Sequence, residues 1–330
     1  MNGRPGLVVC FGELLLRLSA PRGEALLQGP RVAAHFGGAE GNVAVALARL
    51  GCPSAMVSVV PDDAIGDAAI ESLRKAGVEV SHVQRAAGRL GLYFLAPAAG
   101  ASAGSVIYDR ADSVFANARS YDWPAALDGA AWLHLSGILP ALGPEMAEAG
   151  LAAIAAARQA GVRVSFDGNF RASLWARWCR DPGPILSDYV AGCDLLFGNH
   201  RDLSLVLGET LDSDERAARQ AFERFPRLAT VASSAREIVA ADHHRLAARI
   251  DTRDGSFAAP PVEVTGIVDR IGSGDAFAAG VLARFEGDLV EAVTTGLALA
   301  ALKHGIAGDH SMATERDLAA FAAGTADVRR

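Results

Sequence analysis

From about residue 131 the chain alternates short apolar runs with helical stretches, and this alternation limits the fold more than any other feature. Runs at 132–136, 162–166, 194–197 and 228–232 read as strands, and stretches at 144–160, 201–207 and 212–225 read as helices. Unbroken apolar runs of this length suit strands buried on both faces. Strands separated by helices are joined by right-handed crossovers into a parallel sheet. The chain opens in the same way. A run at 7–11 (LVVCF) ends at Gly12, a helix at 43–50 stops at Gly51, and a strand follows at 55–60. A helix at 64–76 is capped by the Asp62–Asp63 pair, and a strand at 78–83 completes the series. The expected class is α/β on a mostly parallel sheet.

Two places break the alternation. Runs at 90–96 and 105–110 have no helix between them, only the Gly/Ala/Ser-rich link 98–104, and read as a hairpin standing out from the body. Tyr93, Tyr108 and Arg110 lie on it, either as ordinary sheet-face packing or as a cover over a site. A second hairpin is expected at 237–241 and 246–250. After Phe277 the chain reads as helical to Phe321.

Composition narrows the partners. The 330 residues are 51% hydrophobic and 21% charged, enough for a large core. A net charge of −7 without a long basic run argues against a nucleic-acid or membrane partner. Cys10, Cys52, Cys179 and Cys193 are scattered, with no CxxC and no Cys/His cluster. They read as reduced thiols rather than a zinc site or a disulfide framework. The run at 7–11 is too short for a signal segment and is interrupted by Glu13 and Arg17. The expected compartment is the cytoplasm.

In parallel sheets ligands lie beyond the carboxyl ends of the strands. Three polar clusters fall at such ends: Asp167-Gly-Asn-Phe-Arg171, Gly198-Asn-His-Arg-Asp202 and the run DRIGSGDAF at 269–277. In the last, Gly272, Ser273 and Gly274 open a small-residue helix and Asp275 sits in its first turn. A glycine turn at a helix start offers free N–H groups and the positive end of the helix dipole, a ready anion site. Asp275 is then either a helix cap or an acceptor for the proton of an attacking hydroxyl. A second glycine loop, Gly37-Gly38-Ala39-Glu40-Gly41-Asn42, opens the helix at 43–50. It is either a tight turn or a place where a polyol meets Glu40 and Asn42.

Together, the GGAEGN run at 37–42 and the GSGD run at 272–275 resemble the two signatures of the ribokinase-like (phosphofructokinase-B) sugar kinases, in order and in rough separation. The resemblance spans essentially the whole chain. Within that family, DGNFRASLW at 167–175, IYDR at 107–110, IVDR at 267–270 and KHGIAGD at 303–309 resemble the 2-keto-3-deoxygluconate kinases.

The resemblance implies a three-layer α/β/α sandwich with a small β lid, drawn from about 14–36 and 90–110 of a single domain. It implies ATP and Mg²⁺, and transfer of the γ-phosphoryl group to the 6-hydroxyl of a keto-deoxy sugar acid. By the same resemblance Asp275 is the catalytic base and Gly272, Ser273 and Gly274 receive the phosphoryl group. Gly38, Ala39, Glu40, Gly41 and Asn42 hold the sugar, with Tyr93, Tyr108 and Arg110 closing from the lid and Asp309 beside them. Asn169 and Arg171 face sugar or nucleotide, and either Arg110 or Arg171 meets the substrate carboxylate. Asn199, Ser233 and Arg236 join the nucleotide site, and Asn199 and Asp202 reach the metal through water.

Two departures stand out. Asp202 is one methylene shorter than the family's Glu. The Gly-x-x-Gly stretch common in the family is replaced by Ser233-Ser-Ala-Arg236, although the following Arg-Glu suits the keto-deoxygluconate subgroup. Competing readings are another sugar kinase of the family, such as a fructokinase, ribokinase or keto-deoxygalactonate kinase, and a sugar-binding regulator without activity. A Rossmann dehydrogenase is ranked below them, because the first strand lacks a following GxGxxG. An exposed lid edge would suit pairing with a second copy.

Overall fold

Strand β1 (Leu7–Phe11) divides its side chains between two cores. In the computed structural model, which describes residues 5–99 and 104–324, Val8 and Cys10 pack on one side and Val9 and Phe11 on the other. A strand apolar on both faces must lie between two helical layers. Helices Ala39–Arg49, Ala64–Ala76, Ser273–Arg284 and Leu289–Lys303 cover the first side. Helices Pro144–Gln159, Gly183–Gly192 and Asp214–Arg224 cover the second.

The remaining strands are β2 (Leu15–Ser19), β3 (Ala33–Gly37), β4 (Ser54–Pro61), β5 (Val83–Ala86), β6 (Gly91–Ala96), β7 (Ser105–Asp109), β8 (Ala130–Ser136), β9 (Arg163–Asp167), β10 (Leu195–Phe197), β11 (Thr230–Ala240), β12 (His243–Thr252) and β13 (Ser256–Thr265). Nine form one sheet in the order β13-β12-β11-β10-β9-β8-β1-β4-β5. From β11 to β5 all neighbours run parallel, and β12 and β13 are antiparallel additions. The expected α/β class and the three layers are what the chain forms. A separate four-stranded sheet, β3-β2-β6-β7, contains the expected hairpin of β6 and β7. Of the 98–104 link, residues 100–103 lie outside the described residues.

Two expectations are corrected, and one strand was not expected. The strand placed at 78–83 is a turn with a single bridge between Ala55 and Glu79, and pairing starts only at Val83. The Glu79 carboxylate accepts the Ser81 N–H and fixes this turn. The run 237–241 is not a new strand but the outer end of β11, which continues unbroken from Thr230. Strand β13 escaped the reading because Pro260 and Pro261 interrupt it. It is the sheet's edge, and a bulge in its pairing with β12 sets both prolines opposite Ala247.

A candidate active site between the two sheets

Two glycine turns hold the site. Gly38, at φ +142°, precedes the helix Ala39–Arg49, so Glu40 and Asn42 stand on that helix's first turns rather than on a loop. Gly272, at φ +82°, precedes the helix Ser273–Arg284 and places Asp275 in its first turn. Neither position admits a side chain. A Cβ on Gly38 would stand 2.1 Å from the Glu13 carbonyl oxygen, and one on Gly272 2.0 Å from that of Asp309. The two helix starts face each other, and the Asn42 side-chain amide donates to Asp275 Oδ2 at 2.6 Å.

Beyond the carboxyl ends of β1, β8 and β9 lies a cleft of about 410 Å³. It is lined by Gly38, Ala39, Glu40, Asn42, Tyr93, Tyr108, Arg110, Asn169, Arg171, Arg236, Asp309 and the 272–275 run. A second cleft of about 240 Å³ is lined by Asn199, Asp202 and Ser234, and shares Asp167, Asn169, Arg171 and Gly274 with the first. Residues expected from distant parts of the sequence are thus brought together at one continuous site. Asn169, at the seam, has the positive φ of +34° that an Asn tolerates better than most residues.

Two expected residues lie outside both clefts. Gly41 is buried, and a Cβ there would stand 2.8 Å from Leu14 Cδ2, so its smallness serves helix packing. Ser233 is buried with its hydroxyl unpartnered among the described residues, and its neighbour Ser234 faces the second cleft instead.

Burial sets the titration of the carboxyls. Asp275 is pushed up to about 6 by burial, against the Asn42 hydrogen bond. Glu40 is pushed to about 7 by burial, against a hydrogen bond from Ser136. Asp167 rises to about 8 through burial and then the charges of Asp275 and Asp202. Asp202 is also raised by burial, and its Oδ2 accepts the Asn199 N–H while Asn199 caps Arg201. Among the described residues no three His, Cys, Asp or Glu side chains converge as a metal cluster. An acid poised near neutrality beside a helix N-terminus can take a hydroxyl proton while the backbone N–H groups meet an anion.

Arg110 is not a free cation. It forms a buried pair with Glu13, its Nε (at 2.9 Å) and Nη2 both donating to Oε2, and Ser113 donates to the other oxygen of the same carboxylate. Arg171, Arg236 and Arg270 line the cleft, and none forms an ion pair with a described residue. Burial and the charge of Arg270 lower the pKa of Arg236. Asp309 accepts from the Tyr93 hydroxyl and pairs with Arg17 at 3.0 Å, and Arg17 also pairs with Asp269 at 2.6 Å.

Glu13, Arg17, Asp167, Asp269 and Arg270 therefore belong to the site's walls or supports, although sequence reasoning gave none of them a role. A usable signal was present for Glu13 and Arg17. Glu13 follows the buried first strand almost at once and Arg17 interrupts the apolar run after it, places where a solvent-facing residue is not expected.

A family model described as pfkB family carbohydrate kinase matches residues 6–315. A 2-dehydro-3-deoxygalactonokinase of Haloferax volcanii is 34% identical over 310 residues, covering 93% of each chain. A 2-dehydro-3-deoxygluconokinase of Bacillus subtilis is 29% identical over 319 residues, covering 95% of this chain and 94% of its own. The crystal structure of a 2-dehydro-3-deoxygluconokinase from Thermotoga maritima superposes with a TM-score of 0.92 at 32% identity, covering 98% of this chain and all of the other.

Proposed function

The chain belongs to the pfkB family of carbohydrate kinases, and from that premise we propose that it phosphorylates a 2-keto-3-deoxy sugar acid at the 6-hydroxyl with ATP. The observation that carries this reading is the pairing of Asp275, set near neutrality in a helix's first turn, with three cleft arginines that form no ion pair with a described residue, Arg171 acting on Asp275, Asp167 and Asp202 only through its charge. The first feature suits activation of an alcohol. The second suits two anions at once, a substrate carboxylate and nucleotide phosphates.

In this reading Asp275 accepts the 6-hydroxyl proton, and Asn42 holds the carboxylate in line for it. The N–H groups of the 272–274 turn meet the transferring phosphoryl group, with the helix dipole offsetting its growing charge. Glu40, Asn42 and Tyr108 face the sugar. With Arg110 held by Glu13, the carboxylate falls to Arg171, Arg236 and Arg270. Asn169 and Arg171, common to both clefts, stand between sugar and nucleotide, and Asn199 and Ser234 border the nucleotide side.

Mg²⁺ suits the second cleft, where Asp202 and Asp167 offer hard oxygen donors, each raised first by burial, whose charged forms a bound cation would favour. When bound there through water, it would neutralise nucleotide phosphate charge. The four-stranded sheet would act as a lid over the sugar, and its edge strand β7 as the contact for a second copy. A reaction that consumes ATP fits a cytoplasmic setting.

2-Keto-3-deoxygluconate is the leading substrate, on the resemblance of the runs at 107–110 and 167–175. Its galactonate epimer is the second reading, favoured by the 34% identical Haloferax relative. The test is an ATP-coupled assay with both epimers, gluconate, fructose and ribose, with the product located by phosphorus NMR. The acids should exceed neutral sugars in kcat/KM by at least roughly a hundredfold, since a site built for a polar group rejects analogues that lack it. Comparable turnover of fructose or ribose, with none of the keto-deoxy acids, overturns the substrate class.

A further inference from the structure

Lys303 ends the helix Leu289–Lys303 and is fully buried, yet the chemistry above gives it no part. Its Nζ donates to the Ile306 carbonyl at 2.9 Å and the Asp269 carbonyl at 3.3 Å. These two carbonyls belong to different loops. Asp269 begins the run that carries the 272–274 turn, and Ile306 lies in the loop that ends at Asp309. Elsewhere the loops interlock. The Asp269 carboxylate accepts from Ile271 N at 3.0 Å and Gly308 N at 3.1 Å. The N–H groups of Val268 and Asp269 donate to the His304 carbonyl. Gly272 touches the Asp309 carbonyl so closely that no Cβ fits between them. A displacement of one loop must therefore displace the other, and with it the N–H groups of the turn.

A buried ammonium is a poor choice for mere packing, because an apolar side chain of similar volume fills such space without desolvating a charge. Resting on the phosphoryl-transfer reading above, we propose that Lys303 is a positioning residue whose ammonium clamps the Asp269 and Ile306 loops and holds the 272–274 turn at its working place. The clamp has a pH limit. Burial lowers the Lys303 pKa to about 8, opposed by the charges of Asp269, Asp309 and Asp275 and assisted by Arg17. His35, His304 and His310 also face it, and each is held below its ordinary value, first by burial, so they are neutral where the lysine titrates. A neutral amine makes weaker hydrogen bonds to the two carbonyls than an ammonium.

The sign of the linkage separates this role from a structural one. The folded pKa lies below the ordinary 10.5 of an unfolded lysine. Between those values the unfolded chain binds the extra proton, so this group adds to stability as pH rises while the clamp weakens. Activity falls where this group makes the fold firmer.

The experiment compares wild type, Lys303→Met and Lys303→Arg. It reads kcat and KM for the best sugar acid from pH 6.5 to 9.5, the melting temperature at each pH, and amide exchange of the unliganded proteins. Wild type should lose half its kcat near pH 8 with no loss of melting temperature assignable to Lys303. Lys303→Met should lower kcat at pH 7 by about tenfold or more, leave KM within about threefold, and lack the limb near pH 8. Lys303→Arg should recover part of kcat and carry no limb there, since its guanidinium does not titrate.

A Lys303→Met enzyme with wild-type kcat and an intact limb overturns the proposal. So does a wild type whose kcat stays level to pH 9.5, which serves if the variants do not fold. Should no sugar in the panel be turned over by wild type, the functional reading fails and exchange decides the clamp alone. Faster exchange at both 269–275 and 305–309 in Lys303→Met supports it, and unchanged exchange there rejects it.

Discussion

Asp275 bears a charge that its surroundings resist. Burial holds its pKa near 6, and the Asn42 amide is the main group that favours the ionised form. Catalysis by this carboxylate should therefore rise with pH through about 6, an acid limb in kcat well above that of a free aspartate. Asn42→Ala, which removes the bond to the ionised form, should move that limb to higher pH. Asp275→Asn should cost roughly 10²–10⁴ in kcat, the usual worth of a general base. It should melt no lower than wild type, because the folded pKa exceeds the unfolded one and the charged form is a burden on the fold above that range. Unchanged turnover in Asp275→Asn would remove it as the base and revive the reading of a sugar-binding regulator. Arg110 behaves differently. Removing it strands the Glu13 carboxylate, 1% exposed at its side chain, without its cation. Arg110→Ala should lose about 3–5 kcal/mol in chemical denaturation, the range for breaking a buried pair. Glu13→Gln combined with Arg110→Met should lose less than Arg110→Ala alone. If Arg110→Ala instead keeps its stability and loses only acid substrates, Arg110 is the carboxylate's partner after all.

At the scale of elements, the site depends on where helices begin. The helix Ser273–Arg284 starts at Gly272 because only a glycine combines a φ of +82° with the contact to the Asp309 carbonyl. Gly272→Ala adds about 1–2 kcal/mol of left-handed strain, before the 2.0 Å clash is counted. Its expected outcome is a lower melting temperature and a kcat loss larger than any change in KM for the sugar, since in the proposed reaction the turn meets the phosphoryl group and not the ring. The sequence disclosed this turn and its partner at Gly38 because glycine spacing is a local signal. It disclosed the parallel sheet because each strand is apolar on both faces, as Val8 to Phe11 illustrate. What stayed hidden depends on pairing at a distance. Glu13 and Arg110 are 97 positions apart, and Arg17 and Asp309 292. No period or spacing marks one as the other's counter-ion, so Arg110 read as a free ligand for the substrate. Likewise Glu40 and Asn42 read as loop residues, because nothing local distinguishes a glycine loop from the first turn of a helix that a distant carbonyl has fixed.

At the scale of the whole molecule, the four-stranded sheet has more edge than its own chain covers. Strand β7 is exposed along its full length. Val106 and Tyr108 turn toward the cleft, and Tyr108 lies 5.8 Å from the Tyr93 ring across the pair with β6. Ile107 is left 55% exposed between them. An edge strand carrying apolar side chains invites pairing, and natural sheets usually blunt such edges with charge or cover them. The covering proposed here is β7 of a second copy, related by a two-fold axis so that one strand serves both sides of the contact. Such a contact would stiffen β7 just where it borders the cleft. Ile107→Asp should then change two measurements together. In light scattering the molar mass should fall from about 68 kDa, twice the 34.2 kDa chain, to that of one chain. In the same preparation KM for the sugar acid should rise while the melting temperature of the main sheet holds, because β7 pairs as a strand with β6 alone and lies apart from both large cores. A wild-type protein that scatters as a single chain at tens of micromolar would leave the lid edge uncovered and reject the pairing.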